Sequence, residues 1–308
     1  MKPASTATFA SISLILLCGF SVASHAQSAC KAVDDSPSAF SARSALEGQG
    51  ATPEALAAFR QLSLNPPRTR IVGGQLTLIA DNPWQVALIR SAVAEPTRSQ
   101  FCGGSIIRNE WILTAGHCVR NAIVREDPTR LEVIAGSSQY AIGGERLKVA
   151  AVHTHPNYNQ TTMDNDFALL RLQTPMTKGQ VIALAEANTA LNDDMNMCVS
   201  GWGATFEGGP GAVDLLGAVI PIVSNTVCNQ PDSYKGDILP SMFCAGKKLG
   251  GIDSCQGDSG GPSSAMVNGR NTLIGVVSWG EGCARRLKYG VYSRVSTAVQ
   301  WIATTIGN

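Results

Sequence analysis

From residue 84 onwards, short apolar runs alternate with clusters of Gly, Pro, Asn and Asp, a pattern typical of strands joined by tight turns. The first group of runs predicts strands over 84–89, 104–107, 111–114, 131–134, 147–152 and 167–172. The second group predicts strands over 197–202, 215–222, 242–245, 273–279 and 290–295. Helical periodicity appears near the C-terminus, over 295–306. Two groups of short strands suit an all-β protein built from two packed barrels.

The first 70 residues show a different pattern. Lys2 precedes an apolar stretch over 12–17, and Ser24-His25-Ala26 has the small-x-small form of a signal-peptidase site, which predicts a cleaved secretory signal over 1–26. The apolar stretch is too short to span a bilayer stably, so a retained membrane anchor is the weaker alternative. Residues 27–70 are rich in Ser, Ala and Pro and poor in large apolar side chains, which predicts a flexible pro-region with at most a short helix around 53–62.

Charge and cysteine content narrow the class of protein. The chain has 24 basic and 23 acidic residues and a pI near 7.5, which gives no basis for nucleic-acid binding as a main function. Nine cysteines behind a predicted leader indicate an oxidising destination, outside the cell or in the periplasm of a bacterial host. We expect no membrane association after the signal is removed, and a monomer.

A candidate nucleophile lies in the stretch Asp253-Ser254-Cys255-Gln256-Gly257-Asp258-Ser259-Gly260-Gly261-Pro262. Glycines on both sides of Ser259 disfavour helix and strand and predict a shaped loop. If Ser259 attacks a carbonyl, the backbone N–H groups of Gly257 and Ser259 can stabilise the oxygen that becomes negative. The alternative is a Gly-rich surface turn without chemistry.

A serine nucleophile needs a base and a group that orients the base. His117 follows an apolar run at a strand-to-loop junction beside a cysteine, whereas His153 and His155 alternate before a proline and are predicted to be exposed strand-end residues. Asp166 directly precedes an apolar run, so its carboxylate is drawn inward and needs a partner such as an imidazole N–H. Asp164, one step further into the polar loop, is expected to be solvated.

Taken together, these motifs resemble those of serine endopeptidases of the chymotrypsin/trypsin family. The matching segments are Arg70-Ile71-Val72-Gly73-Gly74, Ala115-Gly116-His117-Cys118, Asp166-Phe167-Ala168-Leu169-Leu170, Gly257-Asp258-Ser259-Gly260-Gly261-Pro262 and Ser278-Trp279-Gly280. The resemblance covers roughly residues 71–306 and implies two six-stranded antiparallel β-barrels, about 71–185 and 186–308, with a C-terminal α-helix. It places the catalytic residues His117 and Asp166 on the first barrel and Ser259 on the second.

The resemblance also implies synthesis as a zymogen. Cleavage of the Arg70–Ile71 bond would free the amino group of Ile71, which inserts and pairs with the carboxylate of Asp258. Burial of that ion pair would draw the Gly257 amide into place, so the uncut chain should have an unformed oxyanion hole. Since Arg70 fits the specificity expected below, the chain can in principle activate itself.

Specificity is predicted from Asp253, which lies six residues before Ser259 on a loop pinned by Cys255. Gly280 and Gly290 match positions where the family keeps the pocket walls small. An acid at the bottom of an open slot favours a guanidinium or ammonium group, so we expect cleavage after Arg and Lys. The other substrate-binding residues implied are Ser254 beside the acid, Gln256, Trp279 as an apolar shelf, and Ser278, which is also expected to hydrogen bond towards Asp166.

Disulfide pairing is implied by the same resemblance. The expected pairs are Cys102 with Cys118, Cys228 with Cys244, and Cys255 with Cys283. Cys198 lacks its usual partner, because Ser263, Ser264 and Ala265 occupy the stretch where that cysteine would stand. One hypothesis is a bridge from Cys198 to Cys30 that tethers the pro-region; the alternative is a buried free thiol at Cys198 and an unpaired Cys30.

We expect no cofactor for the chemistry. The loop over 136–145 matches the family's calcium loop in place but has Glu145 as its one carboxylate, too few oxygen ligands for Ca²⁺. Tyr289 occupies a position where relatives with tyrosine can bind a sodium ion near the pocket, and Asn159-Gln160-Thr161 is a glycosylation sequon in a eukaryotic host. Expected partners are peptide or protein substrates and protein protease inhibitors.

Two other classes of function share these motifs. A catalytically dead, protease-like binding protein usually lacks one of the three catalytic side chains, and none is lacking here. An esterase with the same triad would not need a charged pocket.

Overall fold

The computed structural model of the protein describes residues 72–93 and 99–307. The predicted signal sequence, the pro-region with its short helix, the Arg70–Ile71 bond and Cys30 lie outside the described residues. Within the described ranges, no helix is both long enough and apolar enough to cross a membrane.

Strands dominate the described chain, and one substantial helix ends it. The strands are β1 (Gln75–Leu76), β2 (Gln85–Arg90), β3 (Gln100–Arg108), β4 (Trp111–Thr114), β5 (Leu131–Ala135), β6 (Glu145–Thr154), β7 (Ala168–Leu172), β8 (Ala183–Leu184), β9 (Asn196–Gly201), β10 (Leu216–Val223), β11 (Met242–Ala245), β12 (Pro262–Val267), β13 (Arg270–Trp279) and β14 (Gly290–Arg294). The α-helices are α1 (Gly116–Val119), α2 (Asn225–Cys228) and α3 (Val295–Ile306).

The strands form two barrels. β2, β3, β4, β7, β6 and β5 close the first barrel in that order, with every pairing antiparallel. β10, β11, β14, β13, β12 and β9 form the second, which closes through the pairing of β9 with β10. Inward-facing apolar side chains fill both barrels, and strands such as β4 are buried along their whole length. This architecture confirms the predicted fold class, including the terminal helix.

The prediction missed three strands. β12 begins with Pro262-Ser263-Ser264, a sequence of weak strand propensity that is held in place by pairing with both β9 and β13. β1 and β8 are two-residue strands attached to the outside of the second barrel, and β8 runs parallel to β13, unlike the antiparallel strands around it. Such short strands have too few residues for a period to be visible in the sequence.

The environment predicted for two side chains beside the cleft was wrong. His155 is buried, not exposed: its ring lies 4.8 Å from that of Trp301 in α3, and its Nδ1 accepts from the backbone N–H of Asn157 at 3.3 Å. Asp164 is half-buried and accepts a hydrogen bond from the hydroxyl of Ser241 in the second half of the chain. Both residues have tertiary partners that come from distant parts of the sequence.

Candidate active site

The first barrel brings His117 and Asp166 together. β4 and β7 are antiparallel neighbours in which Thr114 pairs with Ala168, so α1 leaves β4 at the end where Asp166 enters β7. Asp166 accepts from the backbone N–H of His117 and from its Nδ1, each at 2.8 Å. The Nδ1 proton is thereby committed to the carboxylate, which leaves Nε2 as the basic nitrogen of the neutral ring.

The second barrel supplies further hydrogen bonds to the same carboxyl group. Asp166 is fully buried, and the hydroxyl of Ser278 donates to its Oδ2 at 2.5 Å, as the resemblance implied. The hydroxyl of Ser293 donates to the backbone carbonyl of Asp166 at 3.1 Å. Hydrogen bonds from both barrels therefore fix the Asp166 carboxyl group beside the imidazole.

The loop that carries Ser259 has a well-defined pattern of backbone hydrogen bonds. The Gln256 carbonyl accepts from Ala204 N at 2.6 Å, and the Asp258 carbonyl accepts from Gly261 N at 2.9 Å. In a trans peptide the N–H points away from the C=O, so these bonds turn the N–H groups of Gly257 and Ser259 away from the Ala204 and Gly261 donors. In the described part of the chain neither N–H has an acceptor. Two free donors two positions apart are suited to an oxyanion hole.

The Ser259 loop lies directly against the first barrel. The Ser259 carbonyl accepts from Gly103 N at 2.7 Å, and a Cβ at Gly260 would lie 2.2 Å from the hydroxyl oxygen of Thr114. Glycine at 260 therefore allows the Ser259 loop to lie close to Thr114, at the end of the strand that precedes His117. Among the described residues the His117 ring contacts Asp166 through Nδ1 and Cys118 Sγ through Nε2, rather than the Ser259 hydroxyl. Hydrogen bonds between a catalytic serine and its base are often long at unliganded sites and tighten when substrate binds.

Beside Ser259 opens a pocket with a carboxylate at its floor. Asp253 is 3% exposed, and its two oxygens accept from the backbone N–H groups of Ser254 at 2.8 Å and Ala284 at 3.2 Å. The lining includes every substrate-binding residue predicted from the sequence: Asp253, Ser254, Gln256, Ser278, Trp279, Gly280 and Gly290. Burial raises the pKa of Asp253 to about 7, although the backbone N–H groups oppose the shift.

Two glycines keep this pocket open in different ways. A Cβ at Gly290 would lie 2.4 Å from Asp253 Oδ1, so any side chain there would cover the carboxylate. A Cβ at Gly280 would meet nothing closer than 3.7 Å, so packing does not demand glycine at that position. Its absent side chain leaves space on that side of the pocket lining. Trp279 forms one wall and packs edge-on against the ring of Tyr234, with the centroids 5.1 Å apart.

The raised pKa of Asp253 predicts a pH dependence of stability. The folded pKa of about 7 exceeds the value near 4 of an unfolded chain, so the native state binds the extra proton between those pH values. This contribution to stability is complete below pH 4 and is lost as the pH rises through 7. Between pH 5 and 8, Asp253 is expected to lower the free energy of unfolding by roughly 2–3 kcal/mol.

Denaturant unfolding at the two pH values, in a Ser259→Ala background that prevents self-digestion, measures this loss. An Asp253→Ser variant should lack it, whereas replacement of the exposed Asp237 by serine should leave it unchanged. Equal pH slopes in the parent and Asp253→Ser would contradict the prediction.

A second buried carboxylate, Asp258, directly precedes Ser259 in the chain. Its oxygens accept from Gly203 N at 2.8 Å and Cys255 N at 2.9 Å, and burial raises its pKa to about 6. A Cβ at Gly203 would lie 2.5 Å from the Asp258 carboxyl carbon, so glycine at 203 makes the cradle for this side chain. Val72 lies close to this region because its carbonyl accepts from Asp253 N at 3.1 Å.

The cysteines agree with the expected pairing. Cys102–Cys118 staples the segment that carries His117, Cys255–Cys283 ties the Ser259 loop to the pocket wall, and Cys228–Cys244 is also present. Cys198 is disulfide-bonded as well, which rules out the free thiol, and it lies opposite Ser264 in the sheet. Its bridge to Cys30 stays a prediction, because Cys30 lies outside the described residues.

The metal predictions remain predictions. In the described ranges one group of metal-ligand side chains comes together, Cys102, His117 and Cys118, but the two cysteines form a disulfide and offer no thiolate. The Glu145 carboxylate accepts hydrogen bonds from the backbone N–H groups of Thr177 at 2.7 Å and Lys178 at 3.0 Å. Its oxygen is therefore already engaged by protein donors. The carbonyl of Tyr289, the residue at which sodium binding is predicted, accepts from the hydroxyl of Tyr234 at 2.6 Å.

Sequence reasoning missed two sets of residues around the site. Glu207 pairs with Arg285 and accepts from Cys283 N at 3.4 Å, which ties the loop after β9 to the pocket rim. Gln100 reaches from β3 to the carbonyl of Gly257 at 2.8 Å. These contacts join residues about 80 and 157 positions apart, and no local pattern marks them.

Comparison with known proteins identifies the family. The sequence model of the family described as Trypsin matches residues 71–302. The chain is 42% identical over 241 residues to Trypsin 5G1 of Aedes aegypti, covering 77% of this chain and 85% of that protein. It is 38% identical over 246 residues to Trypsin of Phaedon cochleariae, covering 79% and 90%. With the geometry of the cleft, these matches show that the chain belongs to the trypsin family of serine endopeptidases.

Proposed function

We propose that the protein is a secreted serine endopeptidase, made as a zymogen, that hydrolyses peptide bonds after Arg or Lys. The observation that carries the specificity is the buried carboxylate of Asp253 at the floor of the pocket that also contains Ser259. This acid is buried with no cation beside it in the described ranges, so it is costly to ionise at neutral pH. A guanidinium or ammonium group at the floor would supply the missing charge, whereas an apolar side chain would leave the carboxylate unpaired.

The proposed mechanism uses the described side chains alone. Nε2 of His117 takes the proton of the Ser259 hydroxyl as Oγ bonds to the carbonyl carbon, and the Gly257 and Ser259 N–H groups receive the oxyanion. The imidazolium returns that proton to the leaving amine as the C–N bond breaks, which gives an acyl-enzyme. Water then attacks the ester with His117 again as the base, and Ser259 is released. Asp166 holds the ring orientation throughout.

Zymogen activation is supported by the position of Val72, the first described residue. The Val72 carbonyl accepts a hydrogen bond from the backbone N–H of Asp253. Asp253 lies two residues before Cys255, whose backbone N–H donates to the Asp258 carboxylate. A new amino group at Ile71, one residue before Val72, is a chemically suitable partner for the Asp258 carboxylate. We propose that cleavage after Arg70 forms this pair, which would hold the Gly257 and Ser259 N–H groups in the orientation that receives the oxyanion.

Both parts of the proposal can be tested in one experiment on the secreted full chain. Chromogenic peptides that differ solely in the residue before the scissile bond are compared for wild type and for Arg70→Gln. Wild type, once cut at Arg70, is expected to cleave the Arg and Lys peptides at least ~10³-fold faster than the Leu or Glu peptides. The Arg70→Gln chain should stay uncut and inactive.

Each failure has a distinct meaning in this experiment. Activity of uncut Arg70→Gln equal to that of cut wild type would overturn the zymogen proposal. Equal cleavage of all four peptides would overturn the specificity. A correctly cut, folded wild type without peptidase activity would favour a binding protein, and activity on esters alone would favour an esterase.

A further inference from the structure

Gln100, at the start of β3, contacts the oxyanion-hole loop from the other barrel. Its side-chain Nε2 donates to the carbonyl of Gly257 at 2.8 Å and to the carbonyl of Cys102 at 3.1 Å. Its Oε1 lies 3.4 Å from where a Cβ at Gly257 would stand. One half-buried amide therefore bridges the two halves of the cleft.

The Gly257 carbonyl is one of four consecutive carbonyls that fix the shape of this loop. Gln256 O, Asp258 O and Ser259 O accept from the backbone N–H groups of Ala204, Gly261 and Gly103, at 2.6–2.9 Å. The Gly257 carbonyl accepts instead from the Gln100 side chain. At this carbonyl the restraint is supplied by a side chain and can be removed by substitution. The other end of the same peptide, the Asp258 N–H, donates to the Cys255 carbonyl at 3.0 Å, so substitution of Gln100 removes one of the two hydrogen bonds that orient the 257–258 peptide.

The peptide that Gln100 holds lies between the two hole donors. The Gly257 N–H belongs to the peptide before it and the Ser259 N–H to the peptide after it. Gly257 has φ +96°, in the region that favours glycine, and a glycine rotates at low cost when a restraint on its carbonyl is removed, even while the Asp258 N–H stays bonded to the Cys255 carbonyl. Rotation of the 257–258 peptide would change the angle between the two N–H groups, so its orientation decides whether both can reach one oxygen.

The same amide connects the loop to the base. Gln100 also donates to Cys102, which is disulfide-bonded to Cys118, the neighbour of His117. The Gln100 side chain thus holds the Gly257 loop of the second barrel against β3 of the first. The disulfide from Cys102 in β3 in turn anchors the segment that carries His117. Positioning errors at reacting groups of even 1 Å cost roughly 10²-fold in rate.

We propose that Gln100 is a positioning residue of the oxyanion hole, which acts by fixing the orientation of the 257–258 peptide. This inference rests on the proposed peptidase function. The new element is that a side chain of the first barrel orients the oxyanion hole, which is formed by backbone N–H groups of the second barrel.

The test uses Gln100→Met, which keeps the length of the side chain and removes the N–H donor. In the chain cut at Arg70, kcat for an arginine peptide is expected to fall by about 10–100-fold, with KM changed by less than about threefold. The affinity for a peptidyl-arginine boronate, whose tetrahedral adduct occupies the hole, should fall by a similar factor. The affinity for agmatine, a small guanidinium that needs Asp253 but not the hole, should stay within about twofold.

Two further variants separate positioning from folding. Gln100→His retains a ring N–H donor and is expected to recover kcat to within about fivefold of wild type. Gln173→Met is the matched control, because Gln173 Nε2 also donates to a backbone carbonyl, that of Val149 at 3.3 Å, far from this loop. It should leave kcat and boronate affinity unchanged.

The inference is overturned if folded Gln100→Met keeps the kcat and boronate affinity of wild type, or if agmatine affinity falls in step with boronate affinity. An inactive wild type would instead refute the proposed function. The boronate and agmatine measurements on wild type distinguish that outcome, because they report the hole and the pocket separately.

Discussion

Replacing Ser259 by alanine is expected to lower kcat for an arginine peptide by about 10⁶-fold in the chain cut at Arg70. The loss is this large because Oγ forms the covalent bond of the acyl-enzyme, and alanine has no oxygen to replace it. The free N–H groups of Gly257 and Ser259 remain in the variant, since they belong to the backbone. Residual hydrolysis above the uncatalysed rate would come from this hole and from substrate binding.

The measurement needs a chain that is cut but cannot cut itself. Both variants are processed with an immobilised arginine-specific protease, and the new terminus at Ile71 is verified by sequencing. Ser91→Ala is the control, because the Ser91 hydroxyl donates to the Thr129 carbonyl on the surface of the first barrel. Wild type and this control should react with a fluorophosphonate, whereas Ser259→Ala should not. Retention of more than about 1% of kcat by Ser259→Ala would refute the role of this serine.

The sequence predicts those parts of the fold and site that are encoded locally. Each barrel strand with a clear apolar run was found to within a few residues, and α3 was found over its full length. The segments around His117, Asp166 and Ser259 are similarly local, because a strand end, a glycine or an adjacent apolar run places each side chain. Their convergence followed from the resemblance rather than from any periodicity.

The sequence does not predict contacts that depend on the packing of distant segments. His155 was wrongly predicted to be exposed because Trp301, which covers it, lies 146 positions later in α3. β12 forms because β9 and β13 flank it, although its own residues favour no strand. Gln100 is a further example, since its polar side chain at the start of β3 is an ordinary strand residue until Gly257 is placed beside it.

Replacing Asp253 by serine is expected to lower kcat/KM for arginine and lysine peptides by about 10⁴-fold. The carboxylate is buried and its oxygens are already oriented by Ser254 N and Ala284 N, so a guanidinium at the pocket floor meets a preorganised acceptor. Without the acid, the substrate cation would be buried with no opposite charge, and most of its binding energy would be lost. Serine is preferred to asparagine for this test, because an amide NH₂ would face the same two N–H donors.

Specificity and catalysis separate in this variant because the acid does not touch the reacting atoms. The rate of reaction with a small uncharged sulfonyl fluoride, which needs Ser259 and His117 alone, should stay within about threefold of wild type. Cleavage of a leucine peptide should change by less than about tenfold, so the preference for arginine over leucine collapses. A variant that still prefers arginine by more than about 10³-fold would show that another group recognises the cation. Loss of the sulfonyl fluoride reaction would show instead that Asp253 supports the structure of the nucleophile loop.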